Sequence, residues 1–335
     1  MVERRRCLKL YLGIDGGQSH TTALIADGRG RLLGRGGAGP SNHTREPGGR
    51  ERLIGALTGS IRQAARQAGL RADNPRFVAA HLALTGEPDE KIAIVREILA
   101  ADNLVVGHDA PGALAGALGG GEGIIVLGGT GSVACGEVIE RVGDRARRHF
   151  VRVGGHGYLF SDEGSAFGIA REALRRALRH EDAGLADDLK PLLLGYFRRP
   201  TLKTIAQDCY AGDLTRDRLA SFAARLASHA QRHAGAAREV LADAALELAD
   251  LAVTTARRLG VADLPVDISY AGGVFKSSRL RRQFAGAIAA RLTSPRLLPP
   301  RFQPDVGALL LAYRAANVPI TPSILRKIEE TVTSL

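Results

Sequence analysis

One junction, repeated three times, constrains this chain more than anything else in it: a short apolar run that ends in adjacent glycines. The three copies are Asp15-Gly16-Gly17-Gln18-Ser19, Gly128-Gly129-Thr130-Gly131-Ser132 and Gly272-Gly273-Val274. The runs before them, Leu10 to Ile14, Ile124 to Leu127 and Val266 to Ala271, read as buried strands. A glycine turn at a strand end lets backbone N–H groups approach an anion, because no Cβ stands in the way. One such turn is an ordinary hairpin signal. Three of them, spread over the chain, point to a nucleotide held between two halves of one protein.

The layout around the turns supports two related halves. Leu10 to Ile14, Thr22 to Asp27 and Arg31 to Gly36 read as an antiparallel meander, because the connections are so short. The spacing of Leu53, Leu57, Ile61, Ala64 and Ala68 predicts a helix over 49–69. Strands over 77–84 and 104–107 and helices over 89–101 and 110–118 complete the first half. The second half repeats the pattern, with strands over 122–127, 132–139 and 150–153. Helices over 165–179, 185–196, 202–211, 217–235 and 237–259 come next. A strand over 266–271 and helices over 278–292 and 305–316 finish it. The expected domains are therefore 1–118 and 119–335, with a hinge at Gly119-Gly120-Gly121 instead of a linker.

Composition narrows the class. The chain has 335 residues, 45% of them apolar, enough for a full core. No apolar run approaches the roughly 18 residues that span a bilayer. Met1 to Lys9 is basic but lacks the apolar stretch of a signal peptide. Cys7, Cys135 and Cys209 are isolated, which argues against disulfides and against a zinc site. A reduced, cytoplasmic protein is expected. The net charge is +11, and all but six of the 46 Lys and Arg residues are arginine. These cations are scattered along a chain only 4% aromatic. That pattern fits a solvated basic surface that attracts anionic nucleotide, not a nucleic-acid reader.

Six elements, in order, resemble the sugar kinase, hsp70 and actin superfamily. Within it they resemble the N-acetylglucosamine kinase and BadF/BadG/BcrA/BcrD ATPase group. They are Gly13-Ile14-Asp15-Gly16-Gly17-Gln18-Ser19 with Thr21; Gly39-Pro40-Ser41-Asn42-His43; His108-Asp109-Ala110; Leu127-Gly128-Gly129-Thr130-Gly131-Ser132; Gly154-Gly155-His156-Gly157 with Asp162-Glu163-Gly164-Ser165; and Ala271-Gly272-Gly273-Val274-Phe275-Lys276-Ser277. The resemblance covers nearly the whole chain, Leu10 to about Ala316. It implies an α/β, two-lobed, duplicated ribonuclease H-like (actin-like ATPase) fold with the nucleotide in the interlobe cleft. It also implies an ATP-dependent amino-sugar kinase acting on the 6-hydroxyl of N-acetylglucosamine or a close relative, with Mg²⁺. Glucosamine is the nearest rival substrate. The rival class is an ATPase that activates a partner enzyme without phosphorylating a sugar, but its members hold an iron–sulfur cluster through a cysteine pattern that this sequence lacks.

Residue roles follow from the chemistry and the resemblance together. Phosphoryl transfer needs positioned phosphates, a metal that neutralises charge and an aimed acceptor hydroxyl. Gly16, Gly17, Gln18, Ser19 and Thr21 form the expected first phosphate turn, and Gly129, Thr130 and Gly131 the second. Gly272, Gly273 and Lys276 are expected at the nucleoside, and Asp15 at Mg²⁺. Asp109 is the expected general base; from position alone it could equally be a helix N-cap. Asn42, His43, Thr85, Thr130, Gly155 and Asp162 are the expected sugar contacts, and Glu163 a candidate cap for the next helix. His156 stands where animal N-acetylglucosamine kinases carry tryptophan. Gln18 and His20 replace a glycine and a lysine common among relatives. His229 and His233, four apart, are read as a solvated helix face, and the Ala/Leu stripes from Ser221 to Leu259 as packing. The expected partners are a sugar and ATP, not nucleic acid or membrane, with a homodimer as the assembly to test.

Overall fold

The structure is a computed structural model and describes residues 8–42, 44, 46–70, 75–143 and 145–334. It divides into two units. One runs to Gly121 and resumes at Pro300; the other spans Glu122–Pro299.

The first unit opens with an antiparallel meander, β1 (Leu10–Gly16), β2 (Thr21–Asp27) and β3 (Leu32–Ala38). β4 (Phe77–Leu84) and β5 (Ala101–His108) then add in parallel, giving the sheet order β3-β2-β1-β4-β5. Alternation along β1 decides which face each side chain takes. Leu10, Leu12 and Ile14 pack with Leu53, Leu57 and Ile61 of α1 (Gly49–Gln67), whereas Tyr11 joins the cluster on the other face. α1 rests directly on β3, where a Cβ on Gly34 or Gly36 would lie 2.0 Å from the carbonyl oxygens of Ala64 and Ser60 respectively. α2 (Asp89–Ile98) joins β4 to β5, and α3 (Asp109–Ala117) follows β5.

The second unit repeats the plan. β6 (Gly123–Gly128), β7 (Ser132–Val142) and β8 (Arg145–Gly154) form the meander. Six helices follow: α4 (Ala166–Asp182), α5 (Leu189–Phe197), α6 (Leu202–Ala211), α7 (Arg216–Ala220), α8 (Phe222–Arg232) and α9 (Ala236–Arg258). The helix expected over 217–235 is thus two, meeting at Ser221. β9 (Pro265–Ala271) pairs parallel to β6. α10 (Ser278–Ala289) leads to β10 (Ser294–Leu298), a strand the sequence reading did not find. The order is β10-β9-β6-β7-β8. β10 lies at the sheet edge, where its Pro295 is tolerated. Both sheets carry the same antiparallel trio extended by two parallel strands, as a duplicated architecture requires.

Two further helices close the chain, α11 (Pro304–Ala315) and α12 (Pro322–Val332). α12 also went unpredicted, although Thr321 caps it by accepting from the Ile324 N–H. Both belong to the first unit, so the expected assignment of 119–335 to one domain is corrected. The reason is close backbone packing. A Cβ on Gly307 would lie 1.8 Å from the Gly112 oxygen in α3, and one on Gly13 would lie 2.2 Å from the Leu309 nitrogen. Only glycine lets α11 lie that near to α3 and β1. The expected hinge is a turn of this unit: Gly119 and Gly120 have φ of +61° and +77°, and the Gly120 N–H donates to the Ala115 oxygen at 2.7 Å. Among the described residues no helix is long and apolar enough to cross a membrane.

Candidate functional site

In the first unit β1 delivers Asp15 to the turn at Gly16-Gly17. The Gly17 N–H donates to the His20 oxygen at 2.9 Å and closes the turn. Two neighbouring loops fasten onto it. The Ser41 N–H donates to the Gly17 oxygen at 3.1 Å, and the Thr85 N–H to the Gly16 oxygen at 2.9 Å. A Cβ on Gly16 would sit 2.5 Å from both Ser41 Oγ and Leu84 Cδ2, so a larger residue there would require both side chains to shift. Gln18, Ser19 and His20 are exposed at the tip. Thr21 departs from expectation. Its side chain is fully buried and its hydroxyl donates to the Gly39 oxygen at 2.9 Å. It therefore ties the start of β2 to the end of β3 and leaves no hydroxyl for phosphate. Asn42 is buried beside Ser41, whose hydroxyl is buried without a hydrogen-bond partner among the described residues. His43 lies outside the described residues.

Asp109 opens α3. The residue at the N-cap is His108, with no side-chain cap bond, so Asp109 is not serving as a cap. Its Oδ2 instead accepts from the Thr85 hydroxyl at 2.9 Å, and the carboxylate stays half-buried. Thr85 is thus an orienting partner of Asp109. The Thr85 carbonyl accepts from Lys91 Nζ, whose side chain lies in the core. Asp15 is pushed up to about 7, chiefly by burial and then by the charges of Asp305 and Asp109. Asp305 is itself buried, with Oδ2 accepting from Arg35 at 2.8 Å and Oδ1 from the Val306 N–H at 2.8 Å. This end of the sheet therefore concentrates negative charge around Asp15.

The second unit brings the other two glycine turns together. A Cβ on Gly272, whose φ is +106°, would lie 2.3 Å from the Gly128 oxygen. The two backbones touch, which explains glycine at 272, while at 128 a Cβ would lie 2.4 Å from Val274 Cγ2. The Gly129 N–H donates to the Gly131 oxygen at 2.9 Å, and the Gly129 oxygen accepts from the Ala166 N–H at the start of α4, also at 2.9 Å. Beside the turns lies a cavity of about 700 Å³ lined by Gly129, Thr130, Gly273 and Lys276. That volume falls in the range of nucleotide-sized ligand sites. The sequence reading missed its remaining wall, which includes Ala224, Ala227, Ser228 and Gln231 of α8. The Ala/Leu stripe from Ser221 onward is thus only partly packing, because the small residues on the outer side of α8 leave the space open.

Asp162 also departs from expectation. It has φ +68° and is buried. Its Oδ1 accepts from the Ser132 N–H at 3.0 Å, and its Oδ2 from Arg216 at 2.8 Å. A Cβ on Gly131 would fall 2.6 Å from Oδ1. The carboxylate therefore buttresses the glycine turn from beneath, and both oxygens are engaged without a sugar. Arg216 also stacks over Tyr158, 5.2 Å from the ring centre. Gly155, φ +71°, gives its carbonyl to Arg152 at 2.9 Å, and His156 is exposed. Ser165, not Glu163, caps α4 by accepting from the Gly168 N–H at 3.0 Å. His229 pairs with Asp188 at 3.0 Å and stacks on His233. Among the described residues no group of three or more His, Cys, Asp or Glu could hold a metal ion.

Known proteins agree with this architecture. A Clostridium acetobutylicum protein named N-acetylmuramic acid/N-acetylglucosamine kinase is 25% identical over 310 residues, which cover 91% of this chain and 98% of the relative. A glucosamine kinase from Vibrio cholerae is 30% identical over 177 residues, 52% of this chain and 56% of its own length. The crystal structure of a Chromobacterium violaceum protein, provisionally described as an N-acetylglucosamine kinase, shares the fold with TM-score 0.70 at 24% identity, covering 91% of this chain and 99% of that one. The BadF/BadG/BcrA/BcrD ATPase pattern matches residues 12–312, and the chain belongs to that family.

Proposed function

We propose that this chain is an ATP-dependent amino-sugar kinase that transfers the γ-phosphoryl group to the 6-hydroxyl of N-acetylglucosamine or a close relative. The observation that carries the reading is the Thr85–Asp109 hydrogen bond. An acceptor alcohol must lose its proton as the new O–P bond forms, and a fixed carboxylate within reach can take it. The full-length likeness to a relative named as a kinase of N-acetylmuramic acid and N-acetylglucosamine favours an amino sugar. The nucleoside belongs in the cavity beside Gly129, Thr130, Gly273 and Lys276. The N–H groups of Thr130 and Gly131 would face phosphate oxygens beside that cavity, and those of Gln18 and Ser19 offer the same chemistry in the first unit, whereas the Gly17 and Gly129 N–H groups already donate within their own turns. Asn42 offers an amide able both to donate to and accept from sugar hydroxyls. Asp162 acts through the turn it supports.

The charge around Asp15 fits a divalent cation. Burial and two neighbouring carboxylates raise Asp15 to about 7, so the folded protein gains from a positive charge there. Asp15 would hold Mg²⁺ directly or through water, and the ion would neutralise phosphate charge. The sign of the pH effect follows. The folded value lies above the unfolded 3.8, so without metal this group's contribution to stability is complete at low pH and is lost as pH rises through about 7. Millimolar Mg²⁺ should therefore raise Tm more at about pH 8 than at about pH 5.5, where the proton already supplies the charge. Asp15→Asn should abolish that difference. Equal Mg²⁺ increments at both pH values in the unmodified protein would remove Asp15 from the metal site.

The activity is tested by coupled ADP release against N-acetylglucosamine, glucosamine, N-acetylmannosamine, N-acetylmuramic acid and glucose. Sugar-stimulated turnover with at least one amino sugar is the expected result. ADP release that none of them stimulates would overturn the kinase reading. The ranking of N-acetylglucosamine against glucosamine decides whether an acetamido group is recognised.

A further inference from the structure

Lys91 is an unusual lysine. It lies on α2 and is 2% exposed, among the largest fully buried side chains of the protein. An ammonium group is seldom buried without a task, because it leaves water at high cost. Burial pushes its pKa down, while the charges of Asp109, Glu90 and Glu87 oppose that shift. Its Nζ donates to the Thr85 carbonyl. The chain then turns over it at Gly86, φ +92°, where a Cβ would lie 3.5 Å from Nζ.

Thr85 is thereby held at three points. Its N–H donates to the Gly16 oxygen at 2.9 Å, its carbonyl accepts from Lys91, and its hydroxyl donates to Asp109 Oδ2 at 2.9 Å. The first tether fixes it to the glycine turn of β1 and the third aims the carboxylate. The second prevents the residue from pivoting about the other two. We infer that Lys91 is a positioning residue for phosphoryl transfer: by clamping the Thr85 carbonyl it holds the Thr85 hydroxyl, and through it Asp109, in the orientation that accepts the proton of the sugar alcohol. This rests on Asp109 being the base. Lys91 touches no substrate in this role, so its removal acts on turnover and not on nucleotide binding.

The test is Lys91→Met in the full-length chain, assayed with the best sugar from the panel. Loss of alignment at the base lowers kcat by about 10- to 100-fold, because small displacements of a catalytic group have effects of that size. The KM for ATP stays within about twofold of the unmodified value, since the nucleotide cavity is built from other residues. In an Asp109→Asn background Lys91→Met produces no further loss, because its whole effect runs through that carboxylate. Should Lys91→Met fail to fold, Lys91→Gln, a shorter side chain whose amide can still donate to the Thr85 carbonyl, gives a smaller fall in kcat with the same split between kcat and KM, and an unchanged kcat in that variant overturns the role. A Lys91→Met enzyme with unchanged kcat beside an inactive Asp109→Asn overturns the role of Lys91 alone. An equal loss in both backgrounds, or a rise in the KM for ATP matching the fall in kcat, overturns it too. Full turnover in Asp109→Asn by itself overturns the base assignment underneath.

Discussion

Asp109→Asn is expected to lower kcat by about two orders of magnitude or more while leaving the KM for ATP nearly unchanged. The substitution is close to isosteric, and the amide oxygen can still accept from the Thr85 hydroxyl, as Oδ2 does at 2.9 Å. The fold and the Thr85 loop should survive it. What disappears is the capacity to take a proton. General-base assistance typically contributes about 10²- to 10⁴-fold, and the lower part of that range applies where P–O bond breaking leads the reaction. Steady-state ADP release, with sugar and ATP varied separately, makes the measurement. A melting curve that matches the unmodified protein shows that the loss is chemical. Turnover near the original level would remove Asp109 from the mechanism.

The largest expected effect on stability is at Gly307. In Gly307→Ala the new methyl would lie 1.8 Å from the Gly112 oxygen and 2.5 Å from the Gly116 nitrogen. Both are backbone atoms of α3, so neither can swing aside as a flexible side chain would. The helices must separate, and with them the apolar contacts that α11 makes through Val306, Leu309, Leu310 and Tyr313. Forced overpacking typically costs about 1–3 kcal/mol, and a clash of helix backbone against helix backbone belongs at or above the upper end. Gly55→Ala is the control. It lies in α1 with nothing within 4 Å of the new methyl, and should stabilise by about 1 kcal/mol through helix propensity alone. Urea unfolding of the two variants should move the midpoint in opposite directions. A Gly307→Ala midpoint equal to the unmodified one would show that α11 does not pack on α3 as described.

How much of this was legible in the sequence depends on the range of the forces involved. The glycine turns were, since the need for glycine is local: β1, β6 and β9 each end where the apolar run meets it. The meanders were too, because short connections permit only antiparallel neighbours. The inner reach of the site was not. Thr21 looks like any hydroxyl beside a phosphate turn until the Gly39 carbonyl claims it. Asp162 reads as a free carboxylate because Arg216, its partner, lies 54 residues away. The wall of the nucleotide-sized cavity went unseen because Ala224, Ala227 and Ser228 are the same small residues that a packed helix uses. Nothing near Lys91 in sequence marks it as buried; Glu90 and Glu87 beside it suggest a solvated helix start. The allegiance of α11 is settled by Gly307 lying against Gly112 and Leu309 against Gly13, the latter nearly 300 positions apart. No periodicity within a single segment encodes that.

The interruption of the first unit by the second bears on how the protein is made. When residue 299 leaves the ribosome, every strand and helix of the inserted stretch is already available. The sheet that began at Leu10 still lacks the helix that covers the Tyr11 face. That surface, with Leu24, Ala26 and Ala79, stays uncovered until α11 emerges from the exit tunnel. The part of the polypeptide synthesised first is thus the part completed last, and an unfinished chain displays an apolar sheet face for which chaperones and neighbouring nascent chains compete.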